Sequence, residues 1–244
     1  MPLLEIDGLA KRYGALRVTD RISFALEPGA ALGIIGPNGA GKTTLFNLIA
    51  GTVRADAGTI RFEGRDITRL PARARCRAGI ARSFQIPQPF AGMTCFENVL
   101  VAAAFGRLAP TEPEARAVAV LELTGLWRKA NVVAGALTLI ERKRLEMARA
   151  LATDPKLLLL DEIAGGLTEP ESKALVEAIH TIRASGVAIV WIEHVLHALT
   201  AVIDRLIVID FGRMIADGDP REVMARRDVA EIYLGLEGEP DAHG

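Results

Sequence analysis

Aromatic residues make up only 5% of the 244 residues, and the formal charge is −1. A surface that stacks bases or neutralises a phosphate backbone needs more of both, so no nucleic acid is expected as a partner. There are two cysteines, Cys76 and Cys95, without metal-ligand spacing. They can build no disulfide framework and no zinc site, and they read as reduced thiols of a cytoplasmic protein. No apolar stretch approaches the roughly 18 residues of a membrane span. Val99–Phe105 and Leu157–Leu160 are both far too short. The start, Met1-Pro2-Leu3-Leu4-Glu5, shows neither the basic segment nor the apolar core of a secretory signal. Half of the residues are hydrophobic, enough for one large domain or for a domain with an inserted lobe.

What is present centres on Gly36-Pro37-Asn38-Gly39-Ala40-Gly41-Lys42-Thr43-Thr44, which fits G-x-x-x-x-G-K-[ST] at every fixed position. Ala31–Ile35 before it is a short apolar run, as a buried parallel strand would be. Leu45, Leu48 and Ile49 after it share one helical face, and Gly51 is placed to cap that helix. Strand, glycine loop and helix together predict a nucleoside triphosphate site. Loop amides would point at phosphate oxygens and the helix start would add partial positive charge. Lys42 would neutralise the β- and γ-phosphates, and the Thr43 hydroxyl would ligate Mg²⁺.

Leu3–Asp7, Val18–Leu26 and Gly58–Phe62 read as strands, Glu63-Gly64-Arg65-Asp66 as a turn and Pro71–Arg77 as a short basic helix. Ile80–Phe84 is extended. From Gln85 a proline-punctuated loop, Ile86–Gly92, opens a helical region. Thr94 with Glu97 predicts a capping box, followed by helices over Pro113–Leu123 and Glu141–Ala152. Strands and helices then alternate: Lys156–Asp161, Glu169–Ser185, Val187–Glu193, Asp204–Asp210 and Arg213–Ala216. Short helices are expected near Pro220–Arg227 and Val229–Leu234. This alternation predicts a parallel sheet covered on both faces. The expected division is an α/β core over 1–85 and 151–235, a helical lobe over 86–150 and a disordered tail over 236–244.

Leu157-Leu158-Leu159-Leu160-Asp161-Glu162 ends an apolar strand in two carboxylates. Such a strand is expected beside the glycine-loop strand, because ligands collect at the carboxyl ends of parallel strands. Asp161 would hold Mg²⁺ through its water shell, and Glu162 would polarise the attacking water.

With these motifs the chain resembles the ATP-binding subunits of ABC transporters over nearly its whole length. The resemblance implies an α/β P-loop NTPase, a RecA-like core with an antiparallel β subdomain, plus an inserted helical lobe. It places Tyr13 and Val18 against adenine, and Gly36, Asn38, Gly39, Ala40, Gly41, Lys42, Thr43 and Thr44 around ATP. Gln85 corresponds to the glutamine that ligands Mg²⁺ and hinges the lobe, and His194 to the switch histidine at the γ-phosphate. Glu193 is placed to tune that imidazole. Ala81–Gln85, Met93–Val99 and Glu231–Gly235 are similar to the branched-chain amino-acid importer group. That implies a second ATPase subunit, membrane permease subunits and, indirectly, a periplasmic binding protein, at the cytoplasmic face of the inner membrane. Relatives of the group carry urea, short amides or aromatic acids.

Two segments depart from the family pattern. After Glu162 the chain reads Ile163-Ala164-Gly165-Gly166-Leu167-Thr168, where many relatives have proline first and aspartate or asparagine last. The signature segment reads Leu137-Thr138-Leu139-Ile140-Glu141, with Ile140 in place of glycine. Thr138 is expected to keep a hydroxyl for the partner's γ-phosphate, while Ile140 is expected to push that phosphate away or force the loop to rearrange. A regulatory nucleotide-binding subunit with weak catalysis is the alternative these departures raise. A soluble ABC ATPase acting on ribosomes or DNA would show two cassettes or a long coiled coil, and neither is present.

Overall fold

The computed structural model describes residues 1–107 and 112–234, so the expected tail at 236–244 lies outside the described residues. Its strands are β1 (Leu4–Tyr13), β2 (Leu16–Leu26), β3 (Ala31–Ile35), β4 (Ala57–Phe62), β5 (Arg65–Asp66), β6 (Ile80–Arg82), β7 (Leu157–Asp161), β8 (Ala188–Ile192), β9 (Arg205–Asp210) and β10 (Arg213–Gly218). Its helices are α1 (Lys42–Ala50), α2 (Ala72–Ala78), α3 (Cys95–Phe105), α4 (Pro113–Leu123), α5 (Leu139–Ala152), α6 (Glu169–Ala184), α7 (Leu196–Thr200), α8 (Pro220–Met224) and α9 (Arg227–Leu234). Two sheets result. One is antiparallel, in the order β2-β1-β4-β5; the other runs β10-β9-β3-β8-β7-β6, parallel except for the edge strand β10.

Every residue of β3, β7 and β8 is buried, because the parallel sheet is covered on both faces. The pleat sorts these side chains into two cores. Leu157, Leu159, Val190 and Ile192 pack with α1 and the antiparallel sheet, whereas Leu158, Leu160, Ile189 and Trp191 face the helices α5 and α6. β8 lies between β3 and β7, which corrects the expectation that the Asp161 strand would adjoin the glycine-loop strand. The two still end level: Ile34 and Asp161 both pair with Ile192. A second correction is local. Glu63 and Gly64 make the turn alone, and Arg65–Asp66 pairs with β4 as a short strand.

The basic helix α2 has a structural task that its sequence does not show. Arg75 is buried, and its guanidinium donates to the carbonyls of Leu48 (2.6 Å), Ile49 (2.9 Å), Thr68 (2.9 Å) and Leu70 (2.9 Å). Leu48 and Ile49 end the helix that begins at the glycine loop, so a cation closes its negative end. Burial pulls the Arg75 pKa down to about 10. Arg75→Met leaves these carbonyls without a donor and is expected to cost about 3–5 kcal/mol, a Tm drop of roughly 10 °C. A melting curve within about 2 °C of wild type contradicts this role.

Candidate functional site

The parallel strands deliver their loops to one sheet edge. Beyond β3 comes the glycine loop, beyond β7 the pair Asp161–Glu162, beyond β8 Glu193–His194, and beyond β6 Gln85. This is where an open α/β sheet binds ligands. Two loop glycines are required by close approach. A Cβ on Gly36 would sit 2.0 Å from the Ile209 carbonyl oxygen, and one on Gly41 would sit 2.1 Å from that of Val18. Their φ angles of 152° and 102° also lie where side chains are strained. Gly41 therefore leaves α1 without a capping side chain, and the first-turn amides are kept for an anion.

Lys42 folds over its own loop, donating to the carbonyls of Gly36 (2.6 Å) and Pro37 (2.9 Å). Burial lowers its pKa, and the charges of Glu162 and Asp161 pull it back up, which places both acids within electrostatic reach of the ammonium. Asn38, Gly39 and Thr43 are exposed at the loop mouth, Thr44 is half-buried and Ala40 is buried. Val18 reaches the loop through the Gly41 contact. Tyr13 pairs across the hairpin with Leu16, which shares a cavity of about 500 Å³ with Pro37, Asn38, Gly39 and Phe211.

Asp161 is buried and its pKa is raised by that burial, although Arg82 pulls the other way. One carboxylate oxygen, Oδ2, accepts from Arg82 Nη2 at 2.7 Å. The other, Oδ1, is buried without a hydrogen-bond partner among the described residues. An orphaned carboxylate oxygen, with the Thr43 hydroxyl and the Gln85 amide delivered to the same end of the sheet, is a hard oxygen set that fits Mg²⁺. Gln85 donates its Nε2 to the Glu162 carboxylate, which leaves its own carbonyl oxygen for a cation. Glu162 holds a left-handed φ of 47°, with its amide bonded to Ile192 O at 2.9 Å. His194 is largely exposed, and its Nδ1 lies 3.3 Å from Glu193 Oε1.

A family profile described as ABC transporter matches residues 19–165. The chain belongs to the ABC transporter family. Relatives of this ATP-binding cassette include the high-affinity branched-chain amino acid transport ATP-binding proteins LivG of Salmonella typhimurium and BraF of Pseudomonas aeruginosa. LivG is 38% identical over 96% of the chain and 98% of its own length, and BraF 36% over the same shares. A solved nucleotide-free ATP-binding cassette from an ABC transporter superposes with a TM-score of 0.88 at 32% identity, covering 96% of this chain and 99% of that one. A cassette in its ADP conformation gives 0.87 at 32% identity with the same coverage. The cassette is an α/β P-loop ATPase, and it binds nucleotide. Among the described residues no helix is long and apolar enough to cross a membrane.

Three features of the cassette were not foreseen. Arg82 spans Asp161 and Asn47 Oδ1 (2.5 Å) and lies over the rings of Phe46 and Phe84. These partners come from separate elements, so no local pattern signals it. Ile140 is half-buried and lines a small apolar space with Ile163, Leu167 and Leu175, a packing role that the sequence did not show. The group at the helix start is Glu141. It caps Thr138 N (3.0 Å), the Thr138 hydroxyl accepts from Glu141 N (3.4 Å), and Lys129 pairs with the same carboxylate. The T-x-x-E spacing that betrayed the Thr94 cap is present here too, and again at Thr168 and Glu171.

Proposed function

We propose that this chain is the ATP-hydrolysing subunit of an importer of branched-chain or related amino acids, acting at the cytoplasmic face of the inner membrane. The observation that carries the reading is the gathering of Lys42, Asp161, Glu162, Gln85 and His194 at one sheet edge. The relatives named above supply the cargo class. The loop amides and Lys42 hold the triphosphate, and Tyr13 and Val18 take the adenine. Thr43, Asp161 and Gln85 would hold Mg²⁺, which when bound neutralises phosphate charge. Glu162 takes the proton as water attacks the γ-phosphorus and the bond to ADP breaks. His194 contacts the γ-phosphate.

Residues 86–150 serve as a lobe that moves on the core formed by 1–85 and 151–235. The loop after Gln85 is tied to that lobe. Gln88 N donates to Glu146, Arg149 donates to Gln88 O, and Phe90 N donates to Asn98. Ile86 and Phe90 remain exposed on it, a surface for a permease helix. A periplasmic binding protein would act through the permease alone.

The second ATPase subunit completes the site, and the self-capped Thr138–Glu141 segment favours a partner of different sequence. A carboxylate at that helix start opposes a γ-phosphate brought by a partner. The same feature supports a reading in which most turnover comes from one of two composite sites. Turnover is then expected to be low for the chain alone and to rise at least about tenfold with the partner cassette, one transition-state contact being worth that much or more. Equal turnover with and without the partner contradicts this pairing.

The cargo is tested by uptake. Deleting the chain should abolish entry of labelled leucine, isoleucine and valine, with rescue by wild type and not by Glu162→Gln. Normal entry of all three alongside lost uptake of urea, an amide or an aromatic acid would reassign the cargo and leave the ATPase reading intact.

A further inference from the structure

Glu193 is a buried carboxylate that no step above uses. Taking such a group out of water is costly unless donors surround it. Its donors come from two different loops. Oε2 accepts from Ala164 N at 2.8 Å, in the segment after Glu162. Oε1 accepts from His194 N at 3.0 Å and Val195 N at 3.3 Å, and lies 3.3 Å from His194 Nδ1. Among the described residues its one ion-pair partner is that exposed histidine.

The contact continues beyond Glu193. Gly165, next to Ala164, passes so close to the histidine that a Cβ there would sit 3.3 Å from His194 Cε1. The Gly165 carbonyl in turn accepts from Lys143 Nζ on α5 at 2.5 Å. A line of direct contacts therefore runs from the helix after the altered signature segment, through the loop after Glu162, to the His194 backbone.

We infer that Glu193 is a positioning residue that locks the loop after Glu162 to the loop carrying His194, so that the two move as one unit. The inference deepens the reading of His194 as a γ-phosphate contact and rests on it. A carboxylate suits the task because it only accepts, and all its backbone partners donate. Glutamine has the same shape, but its amide group can accept on one side only. Turned to serve His194 and Val195, it sets N–H against Ala164 N–H, and the lock opens.

The test compares Glu193→Gln, His194→Ala and the double variant in the full chain assembled with its partner cassette. Glu193→Gln is expected to lower kcat about tenfold to a hundredfold, as a misplaced reacting group does, with ATP affinity unchanged. In the His194→Ala background the same change is expected to have no further effect, because both act through one imidazole. An equal loss in both backgrounds, or no loss in either, would overturn the lock. Full turnover in His194→Ala alone would overturn the histidine reading, and the inference with it, and is told apart by that single variant. Should Glu193→Gln fail to fold, Glu193→Asp, which keeps the charge but is too short to span both loops, enters the same comparison.

Discussion

Glu162→Gln is expected to bind ATP as the wild type does and to hydrolyse it about 10²–10⁴-fold more slowly. Binding should survive because the groups proposed to grip phosphate lie elsewhere, in the amides of the glycine loop and in Lys42. The side-chain contact survives too, since the amide oxygen of a glutamine can accept from Gln85 Nε2 as the carboxylate does. The backbone is held by Glu162 N bonding Ile192 O, so the left-handed turn stays in place. A left-handed non-glycine residue costs about 1–3 kcal/mol and persists where the surroundings impose it. What glutamine loses is the ability to take a proton from water. Each decade of rate is about 1.4 kcal/mol of barrier, so the missing base accounts for about 3–5 kcal/mol. Phosphate release and equilibrium ATP binding, measured on the same preparation, separate the two effects. Undiminished phosphate release would remove Glu162 from the role of base.

The glycine loop and the capped helix at Thr94 were legible because each is written in consecutive residues. The run Ala31–Ile35, the loop and the stripe Leu45, Leu48, Ile49 all state the same local answer, and the structure places them as one strand, turn and helix. Sheet order was not legible. Nothing in Leu157–Asp161 says that β8 will lie between it and β3, because that is decided by helices packing on both faces. Arg75, Arg82 and the tie from Glu193 to Ala164 were hidden for a related reason. Their partners lie tens of residues away, and the two arginines look locally like ordinary charged residues on a solvated face. Thr138 shows two patterns overlaid on one residue. Its capping spacing is written in the sequence, and the family pattern overlies it: the hydroxyl accepts from Glu141 N in the cap and keeps its proton to donate.

Lys42→Ala is expected to weaken ATP binding about 30-fold to several-thousand-fold, the 2–5 kcal/mol lost when one member of a hydrogen-bonded charge pair is truncated in a desolvated site. The ammonium lies within electrostatic reach of Asp161, which Arg82 also pairs, and of Glu162, and both carboxylates act on its pKa. A triphosphate brings further negative charge to the same place. Without the lysine, those charges meet two acids across partly buried space, where repulsion is screened far less than in water. Burial depresses the lysine pKa, so its charge is lost at a lower pH than that of a free lysine, and ATP affinity should fall earlier on the alkaline side. Lys42→Arg is not expected to restore binding. A planar fork cannot replace a point charge that sits 2.6 Å and 2.9 Å from the carbonyls of Gly36 and Pro37. Titration with a fluorescent ATP analogue, alongside a melting curve to show that the loop variant still folds, gives the comparison. Wild-type affinity in folded Lys42→Ala would remove Lys42 from the groups that grip the triphosphate.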